Sequence, residues 1–327
     1  MATPIGSDVV TSIARRYILP EITDNVYNSN LLLFRLNSAN KKIVRGGTQI
    51  EVPLMHSRLA AGGAYSGFDL LDVTPSDTIK NAAWDWKQYY VPVTVDGLTL
   101  IKTDSPESVA DFIRLYFQQA EMEMAEILGT GLWSDGSTDT KQIDGIEGAV
   151  DDSSVLATYA GISRSANTWW KSQYDGSTTS LTLATMQTMF GNCTNGGRHP
   201  TVIVTSQTNY NRFYALAQTD VVINTGIGAV DEQLANAGFT NLLFNGVPLT
   251  VDSHVPTDGP TGSGSGHHIY FLNEDFIHFA VSPRADFYLE DFQTPIQQDA
   301  MVAKLFWAGN LIINNCQLQG KMSALTG

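Results

Sequence analysis

Apolar side chains return at helical spacing between Pro106 and Leu128. Positions 109, 113, 116, 120, 124 and 127 form the stripe, and 112, 117 and 128 widen it. Arg114, Gln118, Gln119, Glu121, Glu123 and Glu126 take the opposite face. Ser105 is a natural N-cap, Pro106 suits the first helical position, and Gly129 and Gly131 are expected to end the run. At about 1.5 Å per residue the helix spans roughly 35 Å, long for a globular protein. It is predicted to be the backbone of the fold.

Residues 1–45 read differently. Val9, Val10, Ile13, Ala14, Tyr17 and Ile18 make a short helical pattern stopped by Pro20, and an Asn-rich stretch with one apolar knot, Leu31 to Phe34, follows. This predicts an arm with no core of its own. After Gly46 and Gly47 the period changes to two, with Ile50, Val52 and Leu54 on one strand face. Residues 57–76 have no period, and a second strand run covers Ala83 to Val95. Together these predict a long hairpin with a partly apolar tip. So long a loop is out of place inside a compact domain, but not if it packs on another subunit.

Further along, a helix is predicted over 181–192 with Ser180 as cap, and a buried strand over Thr201 to Thr205. A polar-capped helix follows over 207–218, then a hairpin around Asn245-Gly246. The stretch 259–266 reads as a flexible loop, and His268 to Val281, Phe287 to Phe292 and Met301 to Ile313 as strands.

With 327 residues and 43% hydrophobic content the chain can bury a sizeable core, as two domains or one elaborated fold. A net charge of -14 argues against a general nucleic-acid binder. The charge is uneven: Arg15, Arg16, Arg35, Lys41, Lys42, Arg45 and Arg58 outnumber Asp8, Glu21, Asp24 and Glu51, so the first sixty residues are basic and the rest acidic. Such a segment is suited to reach an acidic surface, including a neighbouring copy's. No apolar run approaches the roughly 18 residues of a membrane span, and the N-terminus lacks a secretory layout. A soluble, cytosolically made chain is expected. Cys193 and Cys316 are too few for a disulfide framework.

Chemistry is harder to find. No glycine-rich segment leads into Gly-Lys-Ser/Thr, and Gly226-Ile-Gly228 and 262–266 lack a strand–turn–helix setting. The histidines are scattered or, as His267 and His268, adjacent, and neither cysteine has a CxxC partner. Asp135, Ser137 and Asp139 open like a calcium loop but lack its glycine and closing glutamate. Asp144, Asp151 and Asp152 read as solvated loop carboxylates. No catalytic, cofactor-binding or metal-binding residue is singled out, and a non-enzymatic role is expected.

Several strings in order resemble the major capsid protein of tailed bacteriophages, with the Hong Kong 97-like capsid fold. They are Arg45-Gly46-Gly47 before Ile50-Glu51-Val52-Pro53-Leu54, then Trp84 and Trp86, then the helix from Pro106. The segment Tyr159 to Gln173 and the tail from Trp307-Ala308-Gly309-Asn310 to Gly320-Lys321-Met322 complete the pattern. The resemblance runs from about residue 40 to the end.

It implies an α+β fold: an N-terminal arm (1–45), an extended β-hairpin loop (46–95) and a peripheral domain (96–199) with its spine helix at 105–130. An axial domain, mostly 200–290, and a return to the peripheral domain over 291–327 follow. The implied function is a structural protein that self-assembles, as hexamers and pentamers, into an icosahedral head enclosing double-stranded DNA without sequence-specific binding. Virion location, assembly in the host cytoplasm, a portal and a separate scaffolding protein are implied with it; no cofactor or membrane is. Assembly contacts are expected at Arg15, Arg16, Tyr17, Leu59, Tyr65, Phe68 and Leu70; Trp169 and Trp170 are either core or subunit-contact anchors. The alternatives are an encapsulin-like nanocompartment shell and a soluble α/β hydrolase or binding protein.

Overall fold

The computed structural model describes residues 30–59, 61–72, 74–98, 106–136, 139–177, 180–220, 242–257, 267–294 and 299–325. The expected arm helix with Arg15, Arg16 and Tyr17, the cap Ser105 and the loop 259–266 lie outside them. Helix α1 (Leu31–Ala39) leads into β1 (Lys41–Ile43), β2 (Gln49–Met55), β3 (Ile79–Asp85) and β4 (Lys87–Asp96). Then come α2 (Pro106–Leu132), α3 (Ile146–Ala149), β5 (Thr158–Tyr159), β6 (Ile162–Ser163) and β7 (Gln173–Asp175). Next are α4 (Leu183–Asn192), β8 (Val202–Thr205), α5 (Gln207–Asp220), β9 (Leu242–Phe244) and β10 (Val247–Val251). The chain closes with β11 (His267–Leu272), β12 (Ile277–Val281), β13 (Tyr288–Leu289), β14 (Ala300–Ile313) and β15 (Gly320–Leu325). The architecture is α+β.

Two sheets organise it. In the first, β14 pairs antiparallel with β4 from Ala300↔Asp96 to Gly309↔Lys87, and also with β12 and β13, while β1 joins β12 in parallel. The second has the order β7-β15-β11-β8-β10-β9. Its central strands are buried on both faces. Val202, Val204, Tyr270 and Leu272 join the core shared with α1, α2 and the first sheet, whereas Ile203, Ile269, Phe271 and Met322 pack with Met186, Met189 and Phe213 of α4 and α5. An apolar run without alternation, as in Thr201 to Thr205, is what a strand buried on both faces requires. The Asn245-Gly246 turn falls where expected, both residues at positive φ (51° and 80°).

Several expectations change. Residues 31–43 belong to the body, because Leu31, Leu32, Leu33 and Leu36 of α1 are buried and β1 lies in a sheet. The second strand run breaks at Trp86, whose indole nitrogen donates to the Gly47 carbonyl. The hairpin is therefore β2–β3 alone, and β4 belongs to the β14 sheet. The sheets also cross the expected boundaries, since β12 joins β14, and β15, at the chain's end, lies between β7 and β11. Thr182 rather than Ser180 caps α4, through a reciprocal box with Thr185. Helix α2 runs through both glycines to Leu132. They serve close packing instead: a Cβ at Gly129 would strike the Asn30 amide, and one at Gly131 would sit 2.9 Å from the Tyr89 hydroxyl.

The buried line of α2 is Ala120, Met124, Leu128 and Leu132, one residue every turn, facing β4, β14 and α1. Met124→Ala should lower subunit stability by about 2–5 kcal/mol. Glu121→Gln, on the exposed face, should stay within about 0.5 kcal/mol. Urea unfolding of the two variants measures both, and a reversed order would mean the helix phase is wrong.

Candidate assembly surface

The hairpin has a fixed root and a free tip. At the root, β2 and β3 pair from Gln49↔Asp85 to Met55↔Ile79. A row of rings leads from there into the core. His56 stacks on Trp169 at 5.3 Å, Trp169 meets Trp170 at 5.4 Å, Trp170 meets Tyr159 at 5.9 Å, and Tyr159 meets the buried Trp84 of β3 at 6.0 Å. Trp170 is core, its indole donating to the Tyr159 carbonyl, while Trp169 is half-exposed beneath the hairpin. Lys80 adds a bond to Asn167 at 2.7 Å.

Beyond Met55 and Ile79 the loop leaves the body. Leu59, Tyr65, Phe68, Leu70 and Leu71 are all exposed, Phe68 and Leu70 completely. The hydrogen bonds here are local: Ser66 N donates to Asp69 and Thr74 N to Asp72. The Thr74 hydroxyl and amide hold the Asp72 carboxyl below its ordinary range. Large apolar side chains left exposed together on one loop are uncommon in monomeric soluble proteins.

A second exposed apolar feature lies on the outer face of the first sheet. Tyr90 of β4, Phe306 of β14 and Tyr288 of β13 stand side by side in register across three strands. Tyr90 and Tyr288 are exposed and Phe306 half-buried. Cross-strand aromatic neighbours support one another and present a flat, rigid surface. No residue of the row was singled out from the sequence, because each belongs to a different strand.

Charge is arranged inwards more than expected. Arg35 of α1 forks onto Glu274, Nε to Oε1 at 2.7 Å and Nη2 to Oε2 at 2.8 Å, and Lys41 reaches Asp286 at 2.5 Å. These two basic residues pair with carboxylates of their own chain. Asp151, expected in solvent, is fully buried. Burial would raise its carboxyl, but bonds from Leu156 N, Ser154 Oγ, Val155 N and Ser153 N outweigh that and lower it. Its neighbour is the buried Arg164, which donates to the carbonyls of Gly148, Ala149 and Leu156. Asp144 is raised by burial, partly offset by Lys87, and accepts from Asn310.

Groups capable of nucleophilic chemistry are poorly placed for it. Cys193 and Cys316 are buried and unpaired, and burial pushes both thiols up to about 12, far from the reactive thiolate. Ser206 Oγ lies 3.2 Å from His267 Nδ1, whose ring is lowered by burial and by Arg212. Among the described residues no carboxylate bonds the other nitrogen of that ring, and no group of three or more His, Cys, Asp or Glu could hold a metal. No described helix is long and apolar enough to cross a membrane.

Removing one partner of the Arg35–Glu274 fork leaves a mostly buried charge. Arg35→Gln should therefore cost about 2 kcal/mol of subunit stability. The loss should persist at high salt, which screens exposed charges much more than buried ones. Denaturation with and without added salt checks this, and a loss that salt abolishes would return Arg35 to the surface.

No family model and no curated protein sequence matches the chain. Solved structures do. The capsid subunit of cyanophage A-1(L) superposes with a TM-score of 0.69 at 18% identity, covering 98% of this chain and 100% of that one. The SrpI encapsulin of Synechococcus elongatus PCC 7942 gives 0.62 at 10% identity over 99% and 96%. The capsid of a native GTA particle gives 0.62 at 11% over 98% and 100%. This chain has the fold that phage capsid and encapsulin shell subunits share.

Proposed function

We propose that the chain is a structural shell subunit that self-assembles into the icosahedral head of a tailed phage and encloses double-stranded DNA. The observation that carries this reading is the completely exposed apolar tip on a rigid root. It is a costly feature in a solitary soluble protein and a useful one in a repeating contact. The shared fold supports it. In this reading the tip of one copy covers apolar surface on the next, and the exposed Tyr90–Phe306–Tyr288 row is a candidate to receive it. The residues before α1 act as the arm, the β2–β3 hairpin with its tip as the extended loop, and α2 as the spine of the peripheral domain. Strands β8 to β11, with α5, supply most of the axial domain that meets at hexamer and pentamer centres. A portal and a separate scaffold complete the head, which forms in the host cytoplasm. An acidic body holds DNA without adhering to it.

An encapsulin-like compartment is the second reading, favoured by the SrpI superposition. Electron microscopy of the purified assembly separates the two. A portal vertex and DNA favour the head, and a closed shell holding protein cargo favours the compartment. A stable monomer at high concentration would defeat both.

Replacing Phe68 and Leu70 together by Ser should leave the subunit's unfolding midpoint unchanged and abolish shell formation in light scattering. Normal shells from that variant would remove the tip from the interface.

The arm gives a different expectation. Arg15 and Arg16 attract an acidic neighbour through solvent, where the Debye length is about 8 Å at physiological salt. Changing both to Gln should slow assembly mainly at low salt. An equal defect at all salt concentrations would assign them short-range contacts instead.

A further inference from the structure

His254 lies where the segment leaving β10 meets α2, and both of its ring nitrogens face carboxylates. Nδ1 is 3.2 Å from Asp252 Oδ1 and Nε2 is 2.9 Å from Glu126 Oε1. The ring is nearly buried and Asp252 wholly so. A neutral imidazole has one N–H and cannot donate to both acceptors, so this geometry calls for the doubly protonated ring. The other oxygen of each carboxylate is buried with no hydrogen-bond partner among the described residues. Glu126 from α2 and Asp252 from the exit of β10 are the charged groups facing the ring. Arg35 of α1 is engaged by Glu274.

We propose that His254 is a charged latch that ties the C-terminal half of α2 to the six-stranded sheet and opens when the ring loses its proton. The latch joins elements that share no strand. Asp252 N bonds Thr205 at the end of β8, and Val255 enters the core beneath α2. The hydrogen bond the ring donates to Asp252, then that to Glu126, lifts it to about 9 against a burial effect of opposite sign. A raised value in the fold means that the stabilisation is complete below the ordinary value of about 6.5 and is lost as pH rises through about 9. The inference does not depend on whether the chain builds shells.

The test uses the full chain labelled with 15N-histidine, with His254→Gln to assign the resonance. At pH 7.5 the His254 ring should show both nitrogens protonated. Pulsed hydrogen exchange should then show the protection of amides 120–132 falling about tenfold or more, relative to β14, as pH rises through 9. In His254→Gln the α2 amides should already be exposed to exchange at pH 7.5, with no further step. A singly protonated ring at pH 7.5 overturns the proposal, and the NMR result decides it even where the variant fails to fold. So does an unchanged pH profile of α2 in a folded variant.

Discussion

Strand β14 carries the connectivity of this protein. Ten of its residues pair with β4, which continues directly from the hairpin through Trp86. Its second half pairs with β12, which in turn holds β1 and the buried leucines of α1. Segments from the start, the middle and the end of the sequence thus depend on one 14-residue strand. Long-range pairing of this kind costs loop-closure entropy before it returns any contact energy. Its effect is to fix the hairpin root and α2 on one frame, so that the tip projects from a fixed base.

That rigidity gives meaning to the apolar tip. The ring row from His56 to Trp84 immobilises the root, so the ordering of the hairpin has been met within the subunit. A partner that covers Phe68 and Leu70 then gains burial with less conformational loss than a wholly flexible loop would demand. The aromatic row on the first sheet is similarly preorganised, since strand pairing holds Tyr90, Phe306 and Tyr288 in line.

Local signals made part of this legible in the sequence. The phase of α2, the Asn245-Gly246 turn and the doubly buried strand at 202–205 each follow from residues within a few positions of one another. The tip was legible for the opposite reason, as apolar residues with no period to bury them. What stayed hidden depends on distant partners. Glu126 looked solvent-facing because periodicity identifies the polar side of a helix and not what lies against it; His254, 128 positions away, supplies the partner. Lys321 is wholly buried, paired with Glu147 and placed over the rings of Tyr174 and Tyr270, and no neighbouring residue in the sequence announces that. Gly129 and Gly131 show the converse, because the signal for a helix end is the same as that for close packing.

The charge balance determines which forces are left for association. Arg35, Lys41, Lys87, Arg164 and Lys321 all pair with carboxylates of their own subunit. Each such pair is neutral in sum, so the excess of -14 stays with the rest of the chain. Copies of an acidic subunit repel one another, and salt shortens the reach of that repulsion without reversing it. Any attraction between them would therefore come mainly from apolar burial, which is indifferent to sign and grows with the number of contacts each copy makes. In the proposed shell, a completely exposed apolar tip on a charged body would suit this balance.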